Sequence, residues 1–509
     1  MSVGEVAPAE NYVVPPMIRK LPKKMPDTSI LPAELRSRVD SALTATPANM
    51  RTGKPVPARL RRVFLGPRGE LFPAGNLFLR RTRSRPEGTE AVYASAVRMW
   101  VESCTAQGTD PLVMNLDTLL EYRDDVRLEL DGVSGKTWNH NLVPLRWFAD
   151  TAAAAGLIDA IPVSDWRALR LTDTSVRWPR VIDPYEYQRF RSAGVQAMTL
   201  EGRMSKTSYA LRTPLRDVLY ADFLLLHGTR RAEAAHLTLL DLPLRRDDHA
   251  RNIGHLPANI CKWGSGREFE EVAVWAQRLA RYHGSEWLTT ISESQKKLRR
   301  LQRSQQLLVV TDVSDRFDRG TKLSIRGLGK RNLMNLSKEQ RRALVCTAKV
   351  ARDIGIEPGM GAGLGMVESD WLVPLAVFPG VRAPMLAPEA WSGMFREANA
   401  RVDAAVRERG APEPRRITPH MLRHTFATEW LSAELNRIAE HDRDFANAAA
   451  KGDYAALRRR HMNPLVRMMR LLGHQRLDTT LLYIDYLMRE EQTAFMPGDS
   501  WVESFLGQS

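Results

Sequence analysis

The stretch Thr418-Pro-His-Met-Leu-Arg-His-Thr-Phe-Ala-Thr428 carries the densest chemical signal in the chain. Its spacing predicts a helix with His420 and Arg423 at i and i+3, on one face. Alone, the pair reads equally well as a buried hydrogen-bonded couple. Four further signals stand around it in one order. His227-Gly-Thr-Arg-Arg-Ala-Glu233 reads as a turn opening a helix, with Arg230 at its start and Glu233 one turn on. Ile260-Cys-Lys-Trp-Gly-Ser-Gly-Arg267 puts Lys262 at a turn between strands. Leu471-Leu-Gly-His474 sets a histidine just after a glycine, and Thr479-Thr-Leu-Leu-Tyr483 sets a tyrosine nine residues beyond it.

Each signal has a plain structural reading: a helical ion pair for Arg230 and Glu233, core packing for Tyr483 beside Leu481 and Leu482. Together they supply what metal-free phosphodiester transfer needs. Two arginines and a histidine can hold non-bridging oxygens as negative charge develops. A lysine can protonate a leaving oxygen. A tyrosine hydroxyl serves as nucleophile once a base and cations favour its ionised form. No carboxylate cluster suited to Mg²⁺ accompanies them, so the set implies no metal and no cofactor.

In their order and in the His474-to-Tyr483 spacing, the boxes resemble those of the tyrosine recombinases of the phage-integrase type. The likeness runs over roughly residues 90–490 and is dense only at the boxes. It implies that Arg230, Arg423 and His420 bind the scissile phosphate and that His474 hydrogen-bonds it. Lys262 would be the general acid for the 5′-hydroxyl, and Tyr483 would form a 3′-phosphotyrosine bond. Some positions depart from the family pattern. His227 and Thr229 flank the first arginine where Thr and Leu are commoner, and Trp263 stands where a glycine is usual in the lysine turn, with Arg267 the nearest basic alternative. Arg231 and Tyr486 compete with Arg230 and Tyr483, but the register of Glu233 and the spacing from His474 favour the latter two. A type IB topoisomerase, a telomere-resolving enzyme and a DNA-binding accessory protein without chemistry remain alternatives. The 190 residues between Arg230 and His420, and the 51 between Arg423 and His474, suggest a divergent subgroup from a mobile element.

The whole-chain features fit a DNA partner. A chain of 509 residues exceeds one ordinary core. Its 43% hydrophobic and 26% charged residues predict that most of it folds. The formal charge is +15, and residues 1–86 hold sixteen Lys/Arg against six Asp/Glu. Arg59, Arg61, Arg62, Arg80, Arg81, Arg83 and Arg85 contribute to that excess, which favours a polyanionic partner over a membrane. Cys104, Cys261 and Cys346 are scattered and odd in number, which suits a reducing compartment. The start lacks a signal-peptide pattern and no apolar run reaches bilayer length, so a cytoplasmic, nucleoid-associated protein is expected.

These patterns predict a mainly α fold with a small antiparallel β-sheet, an α+β catalytic domain with a helical core-binding domain in front. Residues 1–86 read as a basic, Pro/Arg-rich extended arm with a short helix near Pro32–Leu43. Residues 87–165 read as the helical clamp, with Tyr93, Val97, Trp100, Val101 and Cys104 on one helix face and Ser134 as the N-cap of a later helix. A linker at 166–182 leads to a catalytic domain at 183–486. In it we expect a helix over Leu215–Leu226, a second through Leu240, and two short strands over Asn259–Val274. A basic, irregular insert is expected at about 288–372, with Gly-rich Gly359–Gly365, and an extra stretch at about Ala433–His461. The tail 487–509 holds a short amphipathic helix with Trp501, Val502, Phe505 and Leu506 on one face and Asp499 or Ser500 as its cap. It could dock on its own domain or on a neighbouring subunit. The resemblance implies double-stranded DNA as partner and a homotetramer or hetero-assembly upon it.

Overall fold

A computed structural model describes residues 17–20, 62–65, 72–85, 87–172, 178–243, 252–314, 320–353, 368–449, 464–476, 478–489 and 500–506. The chain forms two compact units, Met1–Val176 and Arg177–Ser509. The helix expected near Pro32–Leu43, the Gly359–Gly365 stretch and residues 450–461 of the Ala433–His461 stretch lie outside the described residues.

The first unit is built on helices Glu87–Ala106 and Gly135–Ala154. Val97, Trp100, Val101 and Cys104 of the former meet Leu142, Leu145, Phe148 and Ala149 of the latter in one core. Between them Asn115 caps the helix Leu116–Glu121, which widens into a π-helical stretch over Tyr122–Leu130. Ser134 accepts the Thr137 N–H and so satisfies an otherwise orphaned donor at the next helix start. Strands β1 (Met17–Lys20) and β2 (Arg62–Leu65) pair antiparallel, and a helix follows at Pro73–Thr82. Phe64, Phe78 and Leu79 are buried in the same core, and the Asn76 side chain bonds both the N–H and the carbonyl of Phe64. Residues 62–65 and 72–85 are therefore folded onto the helices, where the composition had suggested an extended arm. Arg62 pairs with Glu90, while Arg81 and Arg85 lie over the Trp147 ring. Trp166 and Leu169 are buried here too, so this unit runs past residue 166, where the sequence suggests a linker. The cause is the helix Val163–Ala168, whose Trp166, with the C-cap residue Leu169, packs into that core.

In the second unit the helix Pro214–His227 is buried on every side from Val218 onward, as its near-continuous apolar run Val218–Leu226 dictates. Tyr220 stacks on Trp391 of the helix Pro388–Arg407, with centroids 3.7 Å apart. Strands β3 (Ile253–Leu256) and β4 (Arg267–Glu270) form a hairpin. The first strand lies earlier than the Asn259 start suggests, because the alternation Ile-Gly-His-Leu precedes Pro257, and a proline N lacks the ladder donor.

The largest difference from expectation lies in the described residues of 288–372, which form regular elements. The helix Glu286–Arg303 leads into a five-stranded mixed sheet of order β7-β6-β5-β8-β9. Its strands are β5 (Leu308–Ser314), β6 (Lys322–Ile325), β7 (Gly329–Asn332), β8 (Leu344–Thr347) and β9 (Leu372–Pro374). Val310, Leu323, Ile325, Leu344, Cys346 and Val373 place it in the same core as the helix Pro214–His227. The sheet is tied to the chain that follows Arg230: Leu239 N–H donates to the Leu375 carbonyl and Val377 N–H to the Leu237 carbonyl. Fully buried Arg341 pairs with Asp241 and donates to the His236 and Leu333 carbonyls. These extended pairings also stop the helix that the sequence suggests through Leu240; it is one turn, Arg231–Ala234. No described helix is long and apolar enough to cross a membrane, and the three cysteines are buried and free.

The tail helix Ser500–Leu506 seats on its own unit. Trp501, Phe505 and Leu506 are buried, Phe505 lies 6.2 Å from the Tyr187 ring, and Trp501 lies 6.4 Å from Phe426. Gln188 and Arg278 donate to the Ser504 and Leu506 carbonyls, the last of which would otherwise be unsatisfied at a helix end. Phe505→Ala should therefore lower folding stability by about 3–5 kcal/mol, read as a shift in the urea midpoint of the full chain. An unchanged midpoint would show that this face is not buried within the chain.

Candidate active site

Gly228 follows the buried helix with φ +57°, a conformation that L side chains avoid. A Cβ there would also lie 2.2 Å from the Phe426 ring, so only glycine lets the helix Pro419–Ala449 approach this turn. That approach delivers Arg423. Its guanidinium is 2% exposed and donates to the carbonyls of Gly228 and Leu472, pinning the turn to the end of the helix Pro464–Leu472. His227 is packed among Phe223, Phe269 and Trp275; burial keeps it neutral, and it belongs to the core.

Arg230 sits just past the turn, at the cap of the one-turn helix. Glu233 accepts from its backbone N–H and from Nη1, both at 2.9 Å, and from Arg267 Nη2 at 2.6 Å. Burial alone would raise the Glu233 carboxyl, but Arg267 and then Arg230 outweigh it and hold the group at about 2. One ionised carboxylate thus aligns two guanidiniums. Arg267 is committed to this pairing and to Cys261 Sγ, so it is a buried brace, where the sequence suggests a substitute for Lys262. Lys262 itself is exposed in the 3₁₀ turn Lys262–Gly264 of the same hairpin.

Gly473, with φ +62°, ends the helix Pro464–Leu472 and turns His474 inward. Arg230 Nη2 reaches the Gly473 carbonyl at 3.5 Å. His474 Nδ1 bonds Thr480 Oγ1 at 3.0 Å, and its ring lies nearly parallel to Tyr483, 6.3 Å away. Burial, then Arg423 and Arg230, push its pKa down to about 3, so it is neutral at ordinary pH. Tyr483, on the helix Asp478–Arg489, is 3% exposed. Burial raises its phenol to about 12, against the pull of Arg423 and Arg230. Tyr486 follows one turn later and is half-buried.

The Tyr483 hydroxyl is 2.8 Å from Nδ1 of His424. His424 stands inside the box that supplies His420 and Arg423, yet the i, i+3 reading passes it over. Its signal was the i, i+4 spacing from His420, whose ring meets it edge-on at 4.3 Å. The structure therefore brings Arg230, Arg423, His474 and Tyr483 together from four separated segments, with His420 beside His424 and Lys262 exposed on the hairpin. Among the described residues, three guanidiniums, from Arg230, Arg267 and Arg423, face a single carboxylate, Glu233. The surplus is felt: burial, Arg230 and Arg267 lower Arg423 to about 9. Such a site carries a net positive charge that an anion would offset. Among the described residues no His, Cys, Asp or Glu group is arranged to hold a metal ion.

No protein-family model matches the chain, and no curated protein does. Among solved structures it is similar to XerA recombinase, at 13% identity over 82% of this chain and 96% of that one, with a TM-score of 0.28. It is similar to XerH site-specific recombinase bound to difH substrate, a pre-cleavage complex, at 14% identity over 83% and 85%, TM-score 0.39. The Tn1549 transposon integrase in complex with transposon right end DNA gives 16% identity over 82% and 98%, TM-score 0.38. At these identities the likenesses assign no role to any residue.

Proposed function

We propose that this chain is a site-specific DNA recombinase of the tyrosine type, which cuts and rejoins DNA through a 3′-phosphotyrosine bond to Tyr483. One observation carries the reading: a buried tyrosine hydroxyl lies beside guanidiniums whose charge exceeds the local carboxylate by two, a surplus that a phosphodiester would reduce. In this reading Arg230 and Arg423 hold the non-bridging oxygens with His420. His474, neutral and oriented by Thr480, hydrogen-bonds the phosphate. Lys262 protonates the departing 5′-oxygen. The helical first unit, with the basic residues of its amino-terminal part, grips the duplex, and the protein works as a multimer on DNA of a mobile element, in the cytoplasm. Rejoining is the reverse displacement, so no nucleotide cofactor is required.

The test is covalent capture. Duplexes with a randomised centre and a nick are incubated with the full chain, denatured in detergent, and the protein-bound DNA is sequenced. The nick lets the short cleaved strand diffuse away, so the adduct accumulates. The expected result is an adduct enriched in one sequence, formed in EDTA without ATP. Its yield should fall steeply with salt as phosphate contacts release counterions. Absence of any adduct across the library overturns the proposal. Joint molecules between two copies of the recovered site mark a recombinase rather than a relaxing topoisomerase.

A further inference from the structure

We propose that His424 is the catalytic base of this site, taking the proton from Tyr483 Oη as that oxygen attacks the phosphate and returning it when the strand is rejoined. The proposal rests on the recombinase reading above. Its ground is the 2.8 Å contact between Nδ1 and the hydroxyl. In the tautomer protonated at Nε2, the hydroxyl donates to Nδ1, which is the arrangement proton transfer needs.

The neighbours leave His424 as the acceptor. Arg230 and Arg423 are donors only. The Glu233 carboxylate is taken by Arg230 and Arg267. His474 presents its ring face to the phenol ring and gives Nδ1 to Thr480. His424 is also held in place. It follows the pinned Arg423 on the same helix, its ring rests against His420, and its carbonyl accepts from Thr428.

The charges facing His424 explain why the nucleophile stays silent without DNA. His420 and Arg423 come from its own helix, with Tyr483 and His474 opposite. Burial, then His420 and Arg423, lower its pKa to about 4, so it is neutral but a weak base. The phenol holds its proton up to about 12. A base this weak cannot ionise the resting tyrosine. A bound phosphate changes both sides: its charge pairs with the arginines and lifts their repulsion on His424, while the forming P–O bond makes the phenolic proton acidic. The step balances. The bond from Tyr483 Oη to phosphorus forms, the bond from phosphorus to the 5′-oxygen breaks, the phenolic proton moves to Nδ1, and the 5′-oxygen takes a proton from the general acid. Rejoining reverses each transfer.

The test uses the nicked duplex recovered by covalent capture, in single-turnover cleavage. His424→Asn keeps an amide oxygen to accept from the hydroxyl but cannot store a proton. With melting temperature and DNA binding unchanged, it should cleave about 100-fold or more slowly, the usual reach of general-base catalysis. The fall in rate toward acid pH, where a neutral base is lost, should vanish in the variant. Difluorotyrosine at position 483, whose phenol needs less help, should restore the variant by about tenfold and change the parent little, as Brønsted behaviour requires. A variant that cleaves at the parent rate overturns the proposal, and so does a slow variant that difluorotyrosine fails to restore, since that marks a positioning role alone. If His424→Asn unfolds, His424→Gln serves by the same criteria. In the parent, the acid limb must also stay at the same pH when difluorotyrosine is installed; a limb that moves belongs to the phenol and overturns the proposal. A parent chain that forms no adduct fails the recombinase reading itself, and this inference with it.

Discussion

Tyr483→Phe should abolish covalent capture of DNA, by at least about 10⁴-fold and in practice to the detection limit, because in the proposed reading it removes the oxygen that forms the bond. The loss is expected to be confined to chemistry. The ring stays in the same core position between His424 and His474, and the deleted hydroxyl makes one hydrogen bond, to a partly buried imidazole. Folding stability should change by no more than about 1 kcal/mol, and the duplex should bind as before. Tyr486→Phe is the matched control and should retain the adduct. Arg423 and Arg230 lie close enough to Tyr483 to act on its phenol, which supports this choice. If Tyr486→Phe lost the adduct and Tyr483→Phe kept it, the nucleophile would be Tyr486.

Local spacing made the boxes legible. Arg230 with Glu233, His420 with Arg423, and the step from His474 to Tyr483 each lie within ten residues, where helix period and turn chemistry constrain the answer. What joins the boxes is not local. The bridge from Glu233 to Arg267 spans 34 residues and that from Arg423 to Leu472 spans 49, and nothing in either neighbourhood announces the other. Residues 288–372 look irregular because their strands are three to seven residues long and carry lysines and arginines on exposed positions. Their register depends on a parallel pairing of Leu308–Val310 with Leu344–Cys346, set by contacts 36 residues apart. The stop at Ala234 has the same origin: Leu237 and Leu239 gain sheet-like partners at Val377 and Leu375, and tertiary pairing overrides helix propensity. The seat of the tail helix is equally hidden. Trp501, Phe505 and Leu506 declare an apolar face, while the surface that receives it is assembled from Tyr187 and Phe426, more than 200 residues apart.

Arg423→Ala should slow cleavage by about 10³-fold or more, since in the proposed reading it removes a charge-assisted donor from the developing phosphorane. Its effect on the DNA-free protein runs on two opposed lines. Removing the guanidinium leaves the buried carbonyls of Gly228 and Leu472 without their donor, at about 1–3 kcal/mol each. It also relieves repulsion. Burial, Arg230 and Arg267 lower the Arg423 pKa in the folded state, so its charge is a burden on folding at every pH below about 9 and is relieved only as pH rises past that value. The substitution should therefore cost less stability than two lost hydrogen bonds imply. Added phosphate separates the two lines. In the parent, an anion that enters between Arg230 and Arg423 binds the folded state alone and raises the melting temperature by mass action. In Arg423→Ala that gain should shrink to the general salting effect seen with any excluded anion. Arg423→Lys should recover little of either property, because one ammonium cannot span two carbonyls and a phosphate as the planar guanidinium does. Cleavage by Arg423→Ala within tenfold of the parent, or equal stabilisation of both by phosphate, would show that the anion is held elsewhere.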